Sequence, residues 1–297
     1  MTKLLAPNQK AYFCIKLIEM EFSIYQQTPE TIAGRIDAIV RQELSPEALM
    51  QAWKIIFSCI DLTTLEATDN NQRIHALCRQ ALDFASSDKT QGVAAICVYM
   101  PFVALGSHLL KNSGIKVATV SCCFPSGQLP LHLKLAETSW ASAQGADEID
   151  MVISRGLMLE GQYNAIEEEV RAVKAACGSA HLKVILETGE LAKPEIIRKA
   201  SELALLAGAD FLKTSTGKVQ PAATPEAAVV MLDTIKEYYE LTGKKVGFKP
   251  AGGIAEPETA LIYYKLVKSI LGEDWLNPTL FRVGASRLAT RLFDLIV

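Results

Sequence analysis

Eight short apolar runs, rich in β-branched residues, recur along the chain: FSCIDLTTL from Phe57, VAAICVY from Val93, KVATVSC from Lys116, EIDMVIS from Glu148, HLKVILET from His181, DFLKTST from Asp210, KKVGFKPA from Lys244 and LFRVGAS from Leu280. Each is the length and composition of a buried strand. Segments with helical periodicity lie between them, such as LPLHLKLAETSWASAQGA, PEIIRKASELALLAGA and TPEAAVVMLDTIKEYYELTG. Several open on helix-start signals, at Pro194-Glu195, Thr224-Pro225-Glu226 and Glu256-Pro257-Glu258, and several close on glycine, at Gly145, Gly208, Gly243 and Gly272. Strand and helix alternating in this way predict parallel strands with crossover helices. Eight units favour a closed (β/α)8 barrel over an open doubly wound sheet, and no G-x-G-x-x-G follows an early strand. The fold class expected is therefore α/β, a (β/α)8 TIM barrel over residues 57–297. Residues 1–56 are expected as a helical extension packing on it. There TPETIAGRIDAIVRQELSPEALMQAWKII reads as two amphipathic helices joined at Ser45-Pro46. They would cap the barrel bottom or form the contact of a homodimer.

Composition narrows the function. The chain has 297 residues, 49% of them hydrophobic, and a formal net charge of −3. Nothing basic enough to suggest a nucleic-acid partner is present. Seven cysteines without a C-x-x-C pair read as reduced thiols of a cytoplasmic protein. Charges at Lys10, Lys16, Glu19 and Glu21 interrupt any signal-peptide core. The uncharged stretch Gln91 to Leu110 is long enough to raise a membrane question. Its Gly92, Pro101, Gly106, Ser107 and His108 instead predict a strand, a turn and a helix, so no membrane partner is expected.

The fourth to seventh runs, neighbours in sequential order, each carry an ionisable residue among apolar ones: Asp150, Lys183, Lys213 and Lys249. In a barrel, side chains of neighbouring strands converge on one cavity, and catalytic groups gather at the strands' C-terminal ends. Taken singly, each could be half of a buried structural ion pair, Lys183 above all. Taken together, three ammonium groups around one carboxylate should depress at least one lysine pKa. A free lysine is neutral in only about 1 molecule in 2,500 at pH 7. An apolar pocket and a neighbouring cation raise that fraction, and a neutral amine can attack a carbonyl to form a Schiff base. Glycines mark the other half of a site. Gly252-Gly253 follows the seventh run, and Gly284 and Ser286 end the eighth. The loops after strands 7 and 8 are where this fold binds phosphate through backbone N–H groups. Ser215-Thr216-Gly217-Lys218 adds hydroxyls and a cation at the same mouth, though it is not a Walker A loop. The four histidines form no H-x-H or H-E-x-x-H, Cys97 reads as core, and no G-x-S-x-G elbow is present. No metal and no cofactor are called for.

These residues lie in motifs that resemble the 2-deoxyribose-5-phosphate aldolase family, class I aldolases on a (β/α)8 barrel. The motifs are DLTTL at Asp61, AAIC at Ala94, GADEIDMVIS at Gly145, LKVILETGEL at Leu182, GADFLKTSTGK at Gly208, VGFKPAGGI at Val246 and FRVGAS at Phe281. The resemblance implies a lyase that reversibly cleaves 2-deoxy-D-ribose 5-phosphate into D-glyceraldehyde 3-phosphate and acetaldehyde, in deoxyribonucleoside catabolism. It implies Lys213 as the Schiff-base lysine, Lys249 as the lysine that lowers its pKa and helps move protons, and Asp150 as the proton-shuttling acid. Lys183 would line the site. Thr63, Thr216 and Lys218 would lie near the substrate hydroxyl and phosphate, and Gly217, Gly252, Gly253, Gly284 and Ser286 would cradle the phosphate. The rival readings are another Schiff-base aldolase acting on a different sugar phosphate, and a phosphate-binding barrel whose chemistry has been lost. Three features depart from the family pattern. Arg287 stands where a second small hydroxyl residue is common; it would be a solvated helix charge or an added cation at the phosphate site. Met100 precedes Pro101, altering the pocket wall by the second strand. The sequence stops at Val297 without a tail tyrosine, so another group or water would serve proton exchange.

Overall fold

The structure is a computed structural model and describes residues 21–297. The charged stretch read against a signal peptide lies almost wholly outside the described residues. Eight strands form one parallel sheet: β1 (Ile60–Thr63), β2 (Ala95–Val98), β3 (Lys116–Ser121), β4 (Glu148–Val152), β5 (His181–Ile185), β6 (Phe211–Lys213), β7 (Gly247–Lys249) and β8 (Val283–Ala285). Their order is β7-β6-β5-β4-β3-β2-β1-β8. Bridges between Phe248 and Phe281 and between Ala251 and Gly284 join the two ends, closing the (β/α)8 barrel that the alternation predicts.

Side chains alternate along each strand, and the alternation divides two kinds of interior. Leu62, Ile96, Ile149, Met151, Leu182, Val184, Leu212, Phe248 and Val283 join the large apolar layer beneath the outer helices. The intervening positions face the barrel lumen. On the β1 to β4 side these include Cys97, Ala118 and Val120, which cluster with Leu65. Around the rest of the lumen they include the charged residues Asp150, Lys183, Lys213 and Lys249. The stretch Gln91 to Leu110 folds as read, with β2, a 3-10 turn Met100–Phe102 and the helix Val103–Leu109. Among the described residues no helix is long and apolar enough to cross a membrane.

The first strand begins three residues later than its apolar run. Phe57 and Ser58 complete the helix Pro46–Ser58, because the Phe57 ring packs on Phe84 and Phe293 outside the barrel. That helix is capped by Ser45 and lies on the helices Pro257–Leu271 and Arg287–Ile296. The helix Pro29–Val40 lies on Pro225–Thr242 and Pro257–Leu271. Arg35 fastens it there, donating to both carboxylate oxygens of Asp233 at 2.6 and 2.8 Å.

The barrel floor is set by an aromatic–glycine pair. A Cβ on Gly247 would lie 2.2 Å from the Phe211 ring, so β7 carries no side chain where β6 carries a large one. The ring in turn meets two cations, with Lys183 Nζ 5.8 Å and Arg282 Cζ 5.9 Å from its centroid. Gly247→Ala should destabilise the protein by about 1–3 kcal/mol through overpacking. Combined with Phe211→Leu, it should cost less than the sum of the two single changes, because the smaller residue vacates the space the methyl needs. Urea denaturation of the three variants measures this; strict additivity would show that the contact does not constrain the floor.

Candidate active site

Asp150, from the middle of β4, accepts hydrogen bonds from three lysines. Lys213 Nζ is 2.8 Å and Lys249 Nζ 2.6 Å from its Oδ2, and Lys183 Nζ is 3.1 Å from its Oδ1. Strand register brings them together: Asp150 pairs with Lys183 across β4 and β5, and Lys213 with Lys249 across β6 and β7. The cluster extends further than the sequence reading placed it. Lys249 also donates to Asp61 and Lys183 to Glu148, while Arg282 bonds both Asp61 (2.5 Å) and Glu148 (2.6 Å). Four cations thus face three carboxylates, not three cations facing one. The excess of positive charge remains, but it is a single charge.

Burial acts most strongly on every group here, favouring the neutral form of each, and the neighbours decide the outcome. For Lys213, burial and then the Lys249 ammonium outweigh Asp150, and its pKa falls below the usual 10.5. For Lys249, burial is outweighed by Asp150 and Asp61 together, and its pKa rises. Lys183 also rises, because burial is overcome by Asp150, Glu148 and Asp61. Asp150 has burial against it, but its three lysines hold it well below the usual carboxylate range. The lumen therefore holds one lysine biased towards the amine, two fixed as ammonium ions, and a carboxylate fixed as an anion.

Lys213 is also the cluster member that reaches open space. It lines a cavity of about 220 Å³ at the C-terminal mouth of the barrel. The cavity also touches Thr63, Thr216, Gly217, Lys218, Gly252, Gly253, Gly284 and Ser286, so it gathers the residues expected around a phosphorylated substrate. Asp150 and Lys249 lie just beneath. Lys183 does not line the cavity as expected; its ammonium is wholly buried between Glu148 and Asp150. Arg287, expected first as a solvated helix charge, is exposed and also lines the cavity, as the first residue of the helix Arg287–Ile296. Met100 packs on the outer apolar layer and is not part of the cavity wall.

The cradle is built by two loops in backbone contact. Gly252 has φ of +87°, and a Cβ there would lie 2.7 Å from the Ala222 methyl and 2.8 Å from Gly217 Cα, so glycine is required. Thr214 ties the same loops, its Oγ1 accepting from Ala251 N at 3.1 Å. Glu187, absent from the sequence reading, supports them from the loop just past β5. It is buried, accepts from Thr216 N and Oγ1, and pairs with Arg155 at 3.2 Å. Burial raises its pKa against those contacts. Asp61, Glu148 and Arg282 were missed too. A signal was available in the period of two: Glu148 shares a face with Asp150, and Arg282 with Gly284. Glu187 carries no such mark, since a left-handed residue just past a strand (φ 57°, ψ 61°) is not visible in sequence.

The chain matches the description DeoC/LacD family aldolase over residues 55–270. It is 46% identical over 269 residues to the human deoxyribose-phosphate aldolase, covering 86% of this chain and 85% of that protein. It is 45% identical over 249 residues to the bovine one, covering 80% and 78%. A Coccidioides immitis crystal structure, provisionally assigned as a deoxyribose-phosphate aldolase, superposes with a TM-score of 0.70 at 26% identity over 91% of this chain and 98% of that chain. A Toxoplasma gondii structure with the same provisional assignment has a TM-score of 0.73 at 26% identity, covering 82% and 94%. The charged lumen, the glycine cradle and these relatives converge: the chain belongs to the DeoC/LacD family of aldolases.

Proposed function

We propose that this protein cleaves 2-deoxy-D-ribose 5-phosphate reversibly into D-glyceraldehyde 3-phosphate and acetaldehyde, with Lys213 as the Schiff-base nucleophile. One observation carries the assignment of the nucleophile. Of the three lysines bonded to Asp150, Lys213 is the one whose pKa is depressed and the one that lines the cavity. The family relationship and the names of the human and bovine relatives support the substrate.

The neutral Lys213 amine adds to C1 of the open-chain aldehyde, giving a carbinolamine. Protonation of its hydroxyl and loss of water leave an iminium. A base takes the proton of the C3 hydroxyl, the C2–C3 bond breaks, and its electron pair flows into the iminium. The fragments are glyceraldehyde 3-phosphate and an enamine on Lys213. Protonation at C2 and hydrolysis then release acetaldehyde and restore the amine. Asp150 lies within hydrogen-bond distance of both Lys213 and Lys249. It therefore suits the transfer of protons between the nitrogen, a bound water and the Lys249 ammonium. Lys249 serves two ends: its charge adds to burial in lowering the Lys213 pKa, and its proton is available to the departing hydroxyl. Lys183, Arg282, Asp61 and Glu148 position this set from below. The phosphate would lie towards Gly252, Gly253, Gly284 and Ser286, with the Gly217 backbone closing the cradle from β6, while Lys218 is paired with Glu66 at the mouth. Thr63 and Thr216 offer hydroxyls nearer the sugar.

Borohydride reduction in the presence of acetaldehyde should attach the two-carbon unit to Lys213, and peptide mass mapping reads the site. An adduct on Lys249 or Lys183 instead would sink the assignment. The rate of this trapping should rise about tenfold per pH unit and then level off, with a midpoint below 10.5 because burial and the Lys249 ammonium lower the Lys213 pKa. Lys249→Met removes the cation that depresses Lys213 and frees Asp150 to stabilise its ammonium. Both changes raise the Lys213 pKa, so the profile should move to higher pH. Asp150→Asn removes the opposing anion, so the trapping profile should move to lower pH while turnover falls about 100-fold or more for want of a proton carrier. Profiles that move in the same direction in both variants would overturn the electrostatic account.

A further inference from the structure

The geometry points to Arg287, not Lys218, as the side-chain cation that makes this site prefer phosphorylated over unphosphorylated substrates. This rests on the reading of the cavity as a phosphorylated-aldehyde site. Besides Lys213, two cationic side chains line the cavity, Lys218 and Arg287, together with one carboxylate, Glu66. Glu66 and Lys218 are paired, Nζ to Oε1 at 3.1 Å, across the mouth between the loops after β1 and β6. An incoming phosphate would meet Lys218 already neutralised, and Glu66 beside it would repel the dianion. Arg287 is placed differently. Among the described residues it makes no ion pair. Glu256, the carboxylate that ends the loop after β7, is taken by Arg291 one turn further along the same helix. The Arg287 guanidinium is therefore exposed at the cavity wall with its donors uncommitted, beside Ser286 and Gly284.

A guanidinium binds phosphate through two parallel N–H···O bonds, which fix orientation as well as charge. Arg287 opens its helix, so its backbone stands with Ser286 at the end where unpaired N–H groups also favour an anion. The position thus combines an uncommitted fork with a favourable backbone field. Lys218 offers a single ammonium whose pairing must first be broken. The arrangement makes Glu66 a second determinant: it lowers the value of Lys218 to an anion, so removing its charge should return that lysine to service.

The test measures the dissociation constant of inorganic phosphate by titration calorimetry, and the ratio of kcat/KM for 2-deoxyribose 5-phosphate to that for 2-deoxyribose. The proteins are wild type, Arg287→Gln, Arg287→Lys, Lys218→Gln, and Glu66→Gln alone and with Arg287→Gln. Arg287→Gln should weaken phosphate binding and lower the substrate ratio at least tenfold, with the change in KM. Arg287→Lys should recover part of the loss and Lys218→Gln should cost less than threefold. Glu66→Gln added to Arg287→Gln should restore several-fold of the phosphate affinity. The inference is overturned if Arg287→Gln leaves phosphate affinity and the ratio within twofold, or if Lys218→Gln produces the larger loss. An equal fall on both substrates with unchanged phosphate affinity also overturns it, since that is what a loosened helix start would give. Phosphate affinity that follows Arg287 in a protein turning over neither sugar supports the anion site while refuting the reading of the reaction. The two failures are therefore separate.

Discussion

The Asp150 carboxylate is the interaction on which the rest of the structure depends. Its two oxygens are shared among three lysine amino groups in the buried lumen. Removing an isolated charge from water is prohibitive, so none of these lysines could occupy the lumen as an ammonium ion without an anion beside it. Yet one carboxylate among three cations is an incomplete match, and that incompleteness is what the chemistry needs. If each lysine had its own carboxylate, all would stay protonated and none would attack a carbonyl. If none were present, all would lose their charge and nothing would deliver a proton. Asp150 is close to Lys213, but it is also bonded to Lys249 and Lys183, and its field is divided.

The layers beneath complete the division. Asp61 and Glu148 supply Lys249 and Lys183 with second anions, fixing them as ammonium ions, while Lys213 has no second carboxylate. Arg282 then bridges Asp61 and Glu148 at the floor. The floor must be rigid for this to hold, because Coulomb energies in a buried site change steeply with separation. Phe211 filling the space left by Gly247 gives that rigidity by packing, and its ring face meets the two lowest cations. The closed barrel matters for the same reason. It supplies inward positions from every side at one level, which an open sheet cannot.

Much of this was legible in the sequence, and the limits have physical causes. The barrel could be read because its outward-facing strand residues are apolar and its crossover helices carry strong start signals, as at Thr224-Pro225-Glu226. Lys213, Lys249 and Asp150 stood out because an ionisable residue flanked by apolar ones is costly unless it is used. Asp61 and Arg282 are flanked by apolar residues as well, Ile60 and Leu62 in one case and Phe281 and Val283 in the other, but they lie at the N-terminal ends of β1 and β8, away from the mouth where catalytic groups gather. Their partners are 221 residues apart in the chain, a pairing that only closure between β1 and β8 creates. The place of β1 shifted for a similar reason: whether Phe57 belongs to strand or helix is decided by rings at Phe84 and Phe293, far away in sequence. Lys183 was placed among the lining residues because period alone says which face a side chain takes, not how deep in the lumen it lies.

Depth is also what separates binding from chemistry here. The cradle residues reach the cavity from loops above the strands, and the proton-transfer residues come from the strands themselves. Lys213 is the last residue of β6 and belongs to both sets. It is 3% exposed, against 0% for Lys183 and Lys249, which fits the proposal that the substrate aldehyde meets Lys213. Glu187 and Thr214 then brace the loop that continues directly from Lys213, so the phosphate grip and the nucleophile are joined by three residues of fixed backbone. A sugar held by its phosphate at one end therefore presents its aldehyde at a set distance at the other. Such positioning accounts for a large share of rate enhancement when a bimolecular addition becomes an intramolecular one. In the proposed reaction the lowered Lys213 pKa favours the reactive amine, and the bracing would decide which carbonyl it meets.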